Sequence, residues 1–351
     1  MSSSFGNRIK VQLFGQSHSA GLGVVIDGLP AGEEIDIDLV NSFLQRRMGA
    51  KGKYTSARAE PDIPKILSGM IANKTCGAPL CVVFENTNVR KQDYEDLKFI
   101  PRPSHSDYTA FVKHSGHNDV DGAGHFSGRL TLPLCFAGAV CLQLLERRGV
   151  KIDAHIYSIA DIKDSDFDGN TVCAEFPTVN REAGEKMKQA IEAAATEGDS
   201  LGGIAECGVW GLPAGLGEPF FDNIESHLAY ALFAIPAVKG VEFGAGFASA
   251  QMKGSLYNDP FYMENGKVKT KTNNCGGILG GISNGMPVIF RVAFKPTPSI
   301  SIRQESVNLA TGENVSLGIK GRHDPCIVPR AVPCVIAAAA ITMLETVLQG
   351  V

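Results

Sequence analysis

The sequence lacks several features by which common protein classes are recognised. No Cys-x-x-Cys pair occurs among the nine cysteines. Their odd number and apolar surroundings favour reduced thiols in a cytoplasmic protein over disulfides or a zinc site, so no metal is expected. The start of the sequence, MSSSFGNRIK, has no apolar signal core, and no export is indicated. The longest apolar stretches, 130–145 and 332–348, fall short of about 18 residues or are interrupted, so no membrane span is expected.

A large excess of charge of one sign is also missing. The formal net charge of −4 over 351 residues argues against a general binder of nucleic acid or other polyanions. A cluster of cations without any acid nevertheless falls between residues 46 and 58: Arg46, Arg47, Lys51, Lys53 and Arg58. This cluster indicates a local anion site, and the alternative is a solvated basic loop.

Two motifs of well-known enzyme classes are absent as well. There is no nucleophile elbow and no obvious cysteine with a basic partner, which disfavours a nucleophilic hydrolase. No G-x-G-x-x-G motif follows a strand, so no dinucleotide-binding fold is implied.

An internal repeat is the most informative feature that is present. The matching segments, in order, are GVVIDGLPAG (23–32) and ECGVWGLPAG (206–215), ILSG (66–69) and ILGG (278–281), GAPL (77–80) and GMPV (285–288), and the basic, His-containing loops 102–108 and 322–325. A long apolar segment follows the basic loop in each copy. These matches, all in one order, predict a duplicated structural unit.

Hydrophobic periodicity predicts strands interleaved with helices in both copies. The predicted strands are 11–14, 23–27, 66–69, 80–85, 204–210, 238–243 and 288–294. The predicted helices are 36–48, 130–147, 182–196, 224–233 and 332–348, and the polar stretch 151–180 is expected to be irregular. We predict an α+β fold, a pseudo-symmetric βαβ sandwich that forms one domain over residues 1–351. Its halves are expected at about 8–149 and 200–349, with a connector at 150–199.

Polar loops next to these elements are candidates for chemistry. His18 lies in a turn after a strand, where it is positioned for proton transfer, or alternatively satisfies a turn hydrogen bond. The loop 102–108 brings together a cation, an imidazole and a carboxylate between prolines, and the alternative is a polar surface loop.

Three further loops extend this inventory. The glycine-rich loop 116–129 before a buried helix suits a phosphate or a flavin phosphate, or is simply flexible. The paired glycines of 273–285, followed by the segment 295–299, would admit a flat ligand or a closely packed backbone. In the loop 321–326, Asp324 is framed by Arg322 and His323, so it is either a base beside a reacting carbon or an anchor for its arginine. Proton abstraction coupled to loss of a phosphate would use this set.

Taken together, these segments resemble the chorismate synthase family. The resemblance covers nearly the whole chain in the family's order and is carried by FGQSHS, RRMGAKGKYTSARAEPD, ILSG, RPSHSDYT, GAGHFSGRLT, GLPAGLGEP, NNCGGILGGISNG, KPTPSIS and GRHDPC. It implies a homotetramer of βαβ sandwich subunits that binds reduced FMN and converts 5-enolpyruvylshikimate 3-phosphate to chorismate. That reaction is a 1,4-elimination of phosphate with loss of a ring hydrogen and no net redox change.

The resemblance also implies roles for individual residues. His18 and His105 match two catalytic histidines that manage protons on the leaving phosphate and the reduced flavin. Asp324 matches the carboxylate that works with flavin N5 in removing the ring hydrogen. The implied substrate-binding cations are Arg47, Lys53, Arg102 and Arg129. The implied FMN contacts are His125, Phe126, Ser127, Pro236, Ala237, Gly280, Lys295, Pro296, Thr297, Pro298, Ser299 and Arg322.

The chain departs from the commonest family pattern at several positions. The family pattern has Glu at position 16, Gly at 19, Pro at 49, Arg at 53 and 59, and Arg-Ser at 125–126. This chain has Gln16, Ser19, Gly49, Lys53, Ala59 and His125-Phe126 at these positions. Lys53 and His125 can carry a positive charge but lack the guanidinium fork, so contacts there are the least secure transfers. Activity is expected to be retained because His18, His105 and Asp324 are all present.

Two other functions stay open at the level of sequence. One is a flavin reductase or other hydride-transferring oxidoreductase, and the other is a catalytically silent ligand-binding relative. Reduction of the chain's own flavin with NADPH, which some family members perform, is a further open alternative.

Overall fold

Two antiparallel sheets enclose a layer of long helices. The computed structural model describes residues 3–48, 61–87, 98–171, 176–319 and 324–350. The strands are β1 (Ser4–Phe5), β2 (Lys10–Gly15), β3 (Gly21–Asp27), β4 (Lys65–Ser68), β5 (Met70–Ile71), β6 (Lys74–Thr75), β7 (Leu80–Glu85), β8 (Lys151–Ile159), β9 (Ile162–Lys163), β10 (Gly203–Trp210), β11 (Val238–Phe243), β12 (Phe261–Glu264), β13 (Lys267–Thr270), β14 (Ile278–Leu279), β15 (Ile282–Ser283), β16 (Val288–Phe294), β17 (Gln304–Asn308) and β18 (Glu313–Leu317). The helices are α1 (Ile37–Met48), α2 (Asp107–Lys113), α3 (Thr131–Glu146), α4 (Arg181–Glu197), α5 (Ile224–Phe233), α6 (Gly254–Tyr257) and α7 (Val328–Gln349).

The two five-stranded sheets have the same order. The first sheet runs β1-β2-β3-β7-β4 and the second runs β9-β8-β10-β16-β11. Every pairing within them is antiparallel. Strand β16 shows why the sheets have one buried face, because its residues alternate strictly between buried and half-buried. The predicted α+β class and the pseudo-symmetric sandwich are thus confirmed.

The middle layer consists mainly of α3 and α7. Both helices are apolar on nearly all sides, so they are stable only where every face is covered. The thiol sulfurs of Cys135 and Cys334 lie 3.8 Å apart. One turn further along both helices, a Cβ placed on Gly138 would lie 2.3 Å from the Cα of Ala337. The two helices therefore run in the same direction, and a glycine is required where they touch.

These two helices correct the expectation about apolar length. Within the described ranges, the helical segment Asp121–Glu146 and α7 are both long and apolar enough to cross a membrane. However, 78% and 94% of their apolar windows are buried inside the protein. They are accounted for as core helices of the sandwich, and their length alone is weak support for a membrane span.

The repeated GLPAG turns are held in the same way in both halves. Thr75 Oγ1 donates to the carbonyl of Pro30 at 2.6 Å and accepts from the N–H of Glu33 at 3.0 Å. In the second half, Ser283 Oγ donates to the carbonyl of Pro213 at 2.7 Å and accepts from the N–H of Leu216 at 3.0 Å. We call each of these arrangements a turn clamp. They confirm the duplication at the level of single hydrogen bonds.

One detail of the predicted repeat is wrong. The sequence match pairs 66–69 with 278–281, but the hairpin β14–β15 corresponds to the hairpin β5–β6. The bond from Cys76 N to Gly69 O, 3.0 Å long, has its counterpart in the bond from Asn284 N to Gly277 O, also 3.0 Å. The sequence does contain the pattern G-x-S-x-G, at 198–202 and 281–285. Ser200 follows a helix, and Ser283 lies in the hairpin β14–β15 with its hydroxyl bonded in the turn clamp, so neither forms a strand-to-helix nucleophile elbow.

The predicted irregular stretch 151–180 is also wrong in its first part. Strand β8 occupies Lys151–Ile159 and pairs along the length of β10. The predicted connector 150–199 therefore contains two strands of the second sheet. Helix α4 in the same region agrees with the prediction of 182–196, and it is capped at its start by the Asn180 side chain and ends at Gly198 in a left-handed conformation.

Candidate active site

The predicted site residues collect at one end of the sandwich. At this end β2, β7 and β16 finish and α3 and α7 begin, and we call it the site end. The link from Leu201 N to Pro325 O, 2.8 Å long, holds the start of α7 against the start of β10. Because both long helices start here, the positive ends of two helix dipoles point towards the same region.

His18 lies in the turn between β2 and β3, as the sequence predicts. Its side chain is buried, and its Nδ1 lies 3.1 Å from Ser17 Oγ. The N–H of Ser17 donates to the carbonyl of Gly124 at 3.1 Å, which docks the turn on the glycine-rich loop. Gly122 has φ +58°, and a Cβ there would lie 2.2 Å from His18 Nδ1. The glycine therefore makes room for the imidazole.

A pair of buried arginines lies beside this turn. Arg129 donates to Asp62 Oδ1 at 2.6 Å, and Arg47 Nη1 lies 3.8 Å from the other oxygen of the same carboxylate. Arg47 also donates to Thr131 Oγ1 at 2.8 Å, at the start of α3. Burial lowers the pKa of the Arg47 guanidinium, and the positive charge of Arg330 lowers it further. The group still carries its charge at neutral pH, because arginine titrates far above this range.

Asn86 joins the arginines to the histidine turn. Its Oδ1 accepts from Arg129 Nε at 3.2 Å, and its Nδ2 donates to the carbonyls of Gln16 and Ser19 at 3.0 and 2.9 Å. Two of the predicted substrate-binding cations, Arg47 and Arg129, thus belong to one network with the turn that carries His18.

A second group forms on the loop before α2. Arg102 binds Asp107 with both prongs of its guanidinium, Nε to Oδ2 at 2.7 Å and Nη2 to Oδ1 at 2.8 Å. His105 Nδ1 lies 2.6 Å from the same Oδ1. Burial opposes the charge of Asp107, but the bonds from Arg102 and His105 outweigh it and hold the pKa of Asp107 well below its usual range. Burial lowers the pKa of His105, and the bond to Asp107 partly opposes this shift.

This loop meets the segment that follows β16. Arg102 Nη1 donates to Ser299 Oγ at 3.2 Å, and Lys295 Nζ donates to the carbonyl of Ser104 at 2.6 Å. The N–H of Lys295 donates in turn to the carbonyl of Ala237 at 3.0 Å, beside Pro236. Burial lowers the pKa of Lys295, as does the positive charge of Lys239. Residues from both halves of the chain are therefore in direct contact here.

Asp324 connects the first network to α7. Its Oδ2 accepts from Arg330 Nη1 at 2.6 Å, and Arg330 Nε donates to the carbonyl of Arg47 at 3.2 Å. The carboxylate is therefore next to one cation, Arg330, whereas the predicted neighbours Arg322 and His323 lie outside the described residues.

Some of the predicted cofactor contacts are engaged elsewhere in the chain. His125 Nδ1 donates to the carbonyl of Gly15 at 2.7 Å, and its Nε2 accepts from Ser3 Oγ at 2.9 Å, so both ring nitrogens are used. Ser127 accepts from the N–H of Arg129 at 3.3 Å and starts the turn that leads into α3. Phe126 is partly exposed and lies near the His114 ring.

Gly280 is not brought to the other predicted cofactor contacts within this chain. It lies in the hairpin before β16, whereas Lys295 follows the last residue of β16. Seven strand residues separate the two points by about 20 Å. Lys53 and Arg322 lie outside the described residues, so their predicted roles stay predictions.

Three partners of the predicted residues were not predicted from the sequence. Asp62 and Arg330 were not singled out, and Asp107 was noted only as part of its loop. Arg330 carried a usable signal, because it is a charged residue within the otherwise apolar first turns of α7. Asp62 carried none, because its partners are distant in the sequence.

Comparison with known proteins gives one consistent result. The chorismate synthase family model matches residues 9–348. The chain is 46% identical to a chorismate synthase of Dehalococcoides mccartyi, covering 100% of this chain and 98% of that one. It is 47% identical to a chorismate synthase of Pyrococcus abyssi, covering 98% and 97%. A crystal structure described as chorismate synthase superposes with a TM-score of 0.75 at 26% identity, covering 98% of this chain and 93% of that chain.

Proposed function

The chain belongs to the chorismate synthase family, and we propose that it eliminates phosphate from 5-enolpyruvylshikimate 3-phosphate to give chorismate. The bond from the ring carbon to the phosphate oxygen breaks, a hydrogen leaves the ring, and a new ring double bond forms. The products are chorismate and inorganic phosphate, with no net oxidation or reduction. The contact between the loop of Arg102 and His105 and the segment of Lys295 and Ser299 carries the proposal, because it joins cations and a proton-transfer group from both halves.

The charge of the substrate supports this proposal. The molecule carries a phosphate and two carboxylates, and such groups are held best by the planar fork of arginine. Arg47, Arg102 and Arg129 are all buried at the site end. Each is already held by a carboxylate or by backbone oxygens, so the guanidinium groups are ordered before a substrate arrives, and less entropy is lost on binding.

Proton transfer is assigned to three residues. We propose that His18 and His105 donate and accept protons at the leaving phosphate and at the reduced cofactor. Asp324 would take up the hydrogen that leaves the ring. The 2.6 Å bond from Arg330 Nη1 to its Oδ2 holds this carboxylate in place.

The residues after β16 fit the FMN that the family implies. Among the described residues, the buried Thr297 Oγ1 has no hydrogen-bond partner. A polar atom at the edge of the flavin ring, or an oxygen of the flavin phosphate, would supply one. Lys295 would supply a cation next to it, and Ser299 and the backbone at Ala237 lie alongside. When bound, reduced FMN would supply an electron-rich ring system close to the breaking carbon–oxygen bond, which no side chain can supply.

One assay tests the function. Purified protein is incubated anaerobically with the enolpyruvyl substrate and chemically reduced FMN, and chorismate and phosphate are quantified. We expect the two products in equal amounts, and none without reduced flavin. A parallel reaction with oxidised FMN and NADPH reports whether the chain reduces its own flavin. A protein that binds reduced FMN but forms no chorismate would refute the proposal.

We further propose that the protein is a cytoplasmic homotetramer. Large aromatic side chains on the surface support burial between subunits, because Phe220, Phe221 and Phe247 are 82%, 90% and 82% exposed in the single chain. Light scattering that reports only the 37.3 kDa mass of one chain would contradict the assembly.

A further inference from the structure

We infer that Asp107 is a positioning residue: it holds the proton of His105 on Nδ1, so that Nε2 faces the substrate as the proton-exchanging atom. The inference rests on the proposed function for its effect on turnover. The placement of the proton itself can be tested without any reaction.

The carboxylate of Asp107 is saturated with donors. Besides the two bonds from the Arg102 guanidinium and the contact with His105, Oδ2 accepts from the backbone N–H of Arg102 at 3.0 Å. A carboxylate has about four lone-pair positions, and four donors converge on this one. Asp107 therefore has no position left for a substrate proton, and its influence on the reaction acts through its neighbours.

The short contact between His105 and Asp107 decides which nitrogen carries the proton. An ionised carboxylate accepts only, so an Nδ1 without hydrogen would place two acceptors 2.6 Å apart. Arg102 Nη2 also lies 3.2 Å from Nδ1. A guanidinium can only donate, so this spacing reflects two donors that share the same carboxylate oxygen. His105 is therefore protonated on Nδ1 in its neutral form.

The second nitrogen of His105 is the one available for chemistry. In the part of the chain that the structure describes, Nε2 has no hydrogen-bond partner, and the side chain is 17% exposed. Two other histidines differ in this respect. His155 lies between the carboxylates of Asp164 and Glu206, and both nitrogens of His125 are bonded within the chain. His105 thus combines an oriented ring with an accessible second nitrogen.

A purely structural account of Asp107 makes a different prediction. If the carboxylate served only to anchor Arg102, its loss would loosen substrate binding and leave the proton distribution of His105 unchanged. If it positions the proton, its loss changes the tautomer of His105 and lowers its pKa, because the bond to Asp107 raises that pKa against the effect of burial.

The test compares Asp107→Asn with the wild type by nitrogen-15 NMR of the imidazoles, with His105 assigned from the signals that disappear in His105→Asn. In the wild type we expect the proton on Nδ1. In Asp107→Asn we expect a shift towards Nε2–H, because the amide can donate to Nδ1. Turnover should fall about 100-fold, within the range that general acid–base catalysis contributes. The limb of the pH–rate profile that reports His105 should move to lower pH, with a much smaller change in KM than in kcat.

Two further variants complete the design. Asp222→Asn removes the carboxylate partner of the histidine His227 at the opposite end of the second sheet, and it should change neither turnover nor His105. Asp107→Glu keeps a carboxylate and should restore the Nδ1 tautomer and part of the activity.

Several outcomes would overturn the inference. Wild-type His105 with its proton on Nε2 would do so even if Asp107→Asn failed to fold. Loss of turnover in a folded Asp107→Asn variant whose His105 tautomer is unchanged would also do so, because Asp107 would then act only as an anchor. If the tautomer shifts but the wild type forms no chorismate, the positioning role stands and the proposed function fails.

Discussion

The two halves of the sandwich are alike at one end and different at the other. At the end opposite the site, the turn clamps of Thr75 and Ser283 repeat with nearly identical hydrogen-bond lengths. At the site end, β2 and β3 are joined by the short turn that carries His18, whereas β8 and β10 are separated by residues 160–202, which include α4. The duplicated frame is thus alike in the two halves where the turn clamps close each sheet, and it differs at the site end, where loops of the two halves meet.

The difference also explains why each half depends on the other. The Arg102 loop follows the first sheet in the sequence, whereas Lys295 and Ser299 follow the second sheet. Arg102 donates to Ser299 Oγ, and Lys295 donates to the carbonyl of Ser104 in the Arg102 loop. Asp324 belongs to the second half, and its partner Arg330 bonds to the backbone of Arg47 in the first. Loops that cross between the symmetric sheets therefore bring residues of both halves into contact at the site end.

The largest expected effect comes from removing the imidazole that is unique to the first half. His18→Asn keeps a polar group near Ser17 Oγ, so the turn should still fold, but it removes a proton-transfer group. We expect the rate of chorismate formation to fall by about 10² to 10⁴. The control is His227→Asn, which removes an imidazole at the opposite end of the second sheet and should leave turnover within about two-fold, as is usual for a site without a catalytic role. Unchanged turnover in a folded His18→Asn variant would remove His18 from the reaction without affecting family membership.

A smaller and symmetric effect is expected from the turn clamps. Thr75→Val and Ser283→Ala each remove a hydroxyl that bonds a carbonyl and an N–H, and each should cost about 1–3 kcal/mol of unfolding free energy because those groups lose their partner. The two losses should agree within about 1 kcal/mol, and they should add in the double variant because the clamps belong to different sheets. Urea unfolding measures all three.

The exposed hydroxyl of Thr196 on α4 provides the control for these variants. Its bond to the carbonyl of Glu192 is local and solvated, so Thr196→Val should change stability by less than about 0.5 kcal/mol. If one clamp variant lowers the free energy of unfolding no more than Thr196→Val does, while the other lowers it by the expected amount, the two clamps are equivalent in shape but not in stabilisation.

Some elements of the fold could be predicted from the sequence and others could not. Helix α5 and strands β11 and β16 have the predicted bounds, because their periodicity is local and uninterrupted. Strand β8 was missed because it contains Asp153 and His155, whose residue types favour an exposed loop, although His155 is fully buried in the fold. His155 is bound by the carboxylates of Asp164 and Glu206. The sequence does not indicate these contacts, because the one with Glu206 forms only when β8 pairs with β10.

Prediction of the site is likewise limited to what short stretches of sequence indicate. His18, His105 and Arg102 were identified because unusual residue types are concentrated in short loops. Asp62, which binds Arg129, and Arg330, which binds Asp324, were not identified, because they lie outside these loops. Residue type indicates which side chains can perform chemistry, but the pairing that orients them depends on the fold.

The smallest effect should come from a charge that distinguishes the two halves at the turn clamps. Glu33, whose counterpart is Leu216, binds Arg147 at 2.9 Å and Arg148 at 2.6 Å. Burial opposes its charge, but the bonds from the two arginines outweigh it and lower the pKa of Glu33 below its usual value of 4.5. A lowered pKa in the folded state means that this stabilisation is complete above about pH 4.5 and is lost as the pH falls through the folded value.

Glu33→Gln should therefore reduce the free energy of unfolding by about 0.5 kcal/mol at pH 7, as is usual for exposed ion pairs, and by less in high salt. At a pH below the folded pKa of Glu33, the variant and the wild type should unfold at the same urea concentration, because the carboxyl is then neutral in both states of the wild type. Glu33→Leu, which places the residue of the second half in the first, should show the same loss at neutral pH. A deficit of equal size at neutral and strongly acid pH would mean that Glu33 stabilises the first turn clamp through its hydrogen-bonded shape, and that charge is not what distinguishes the two clamps.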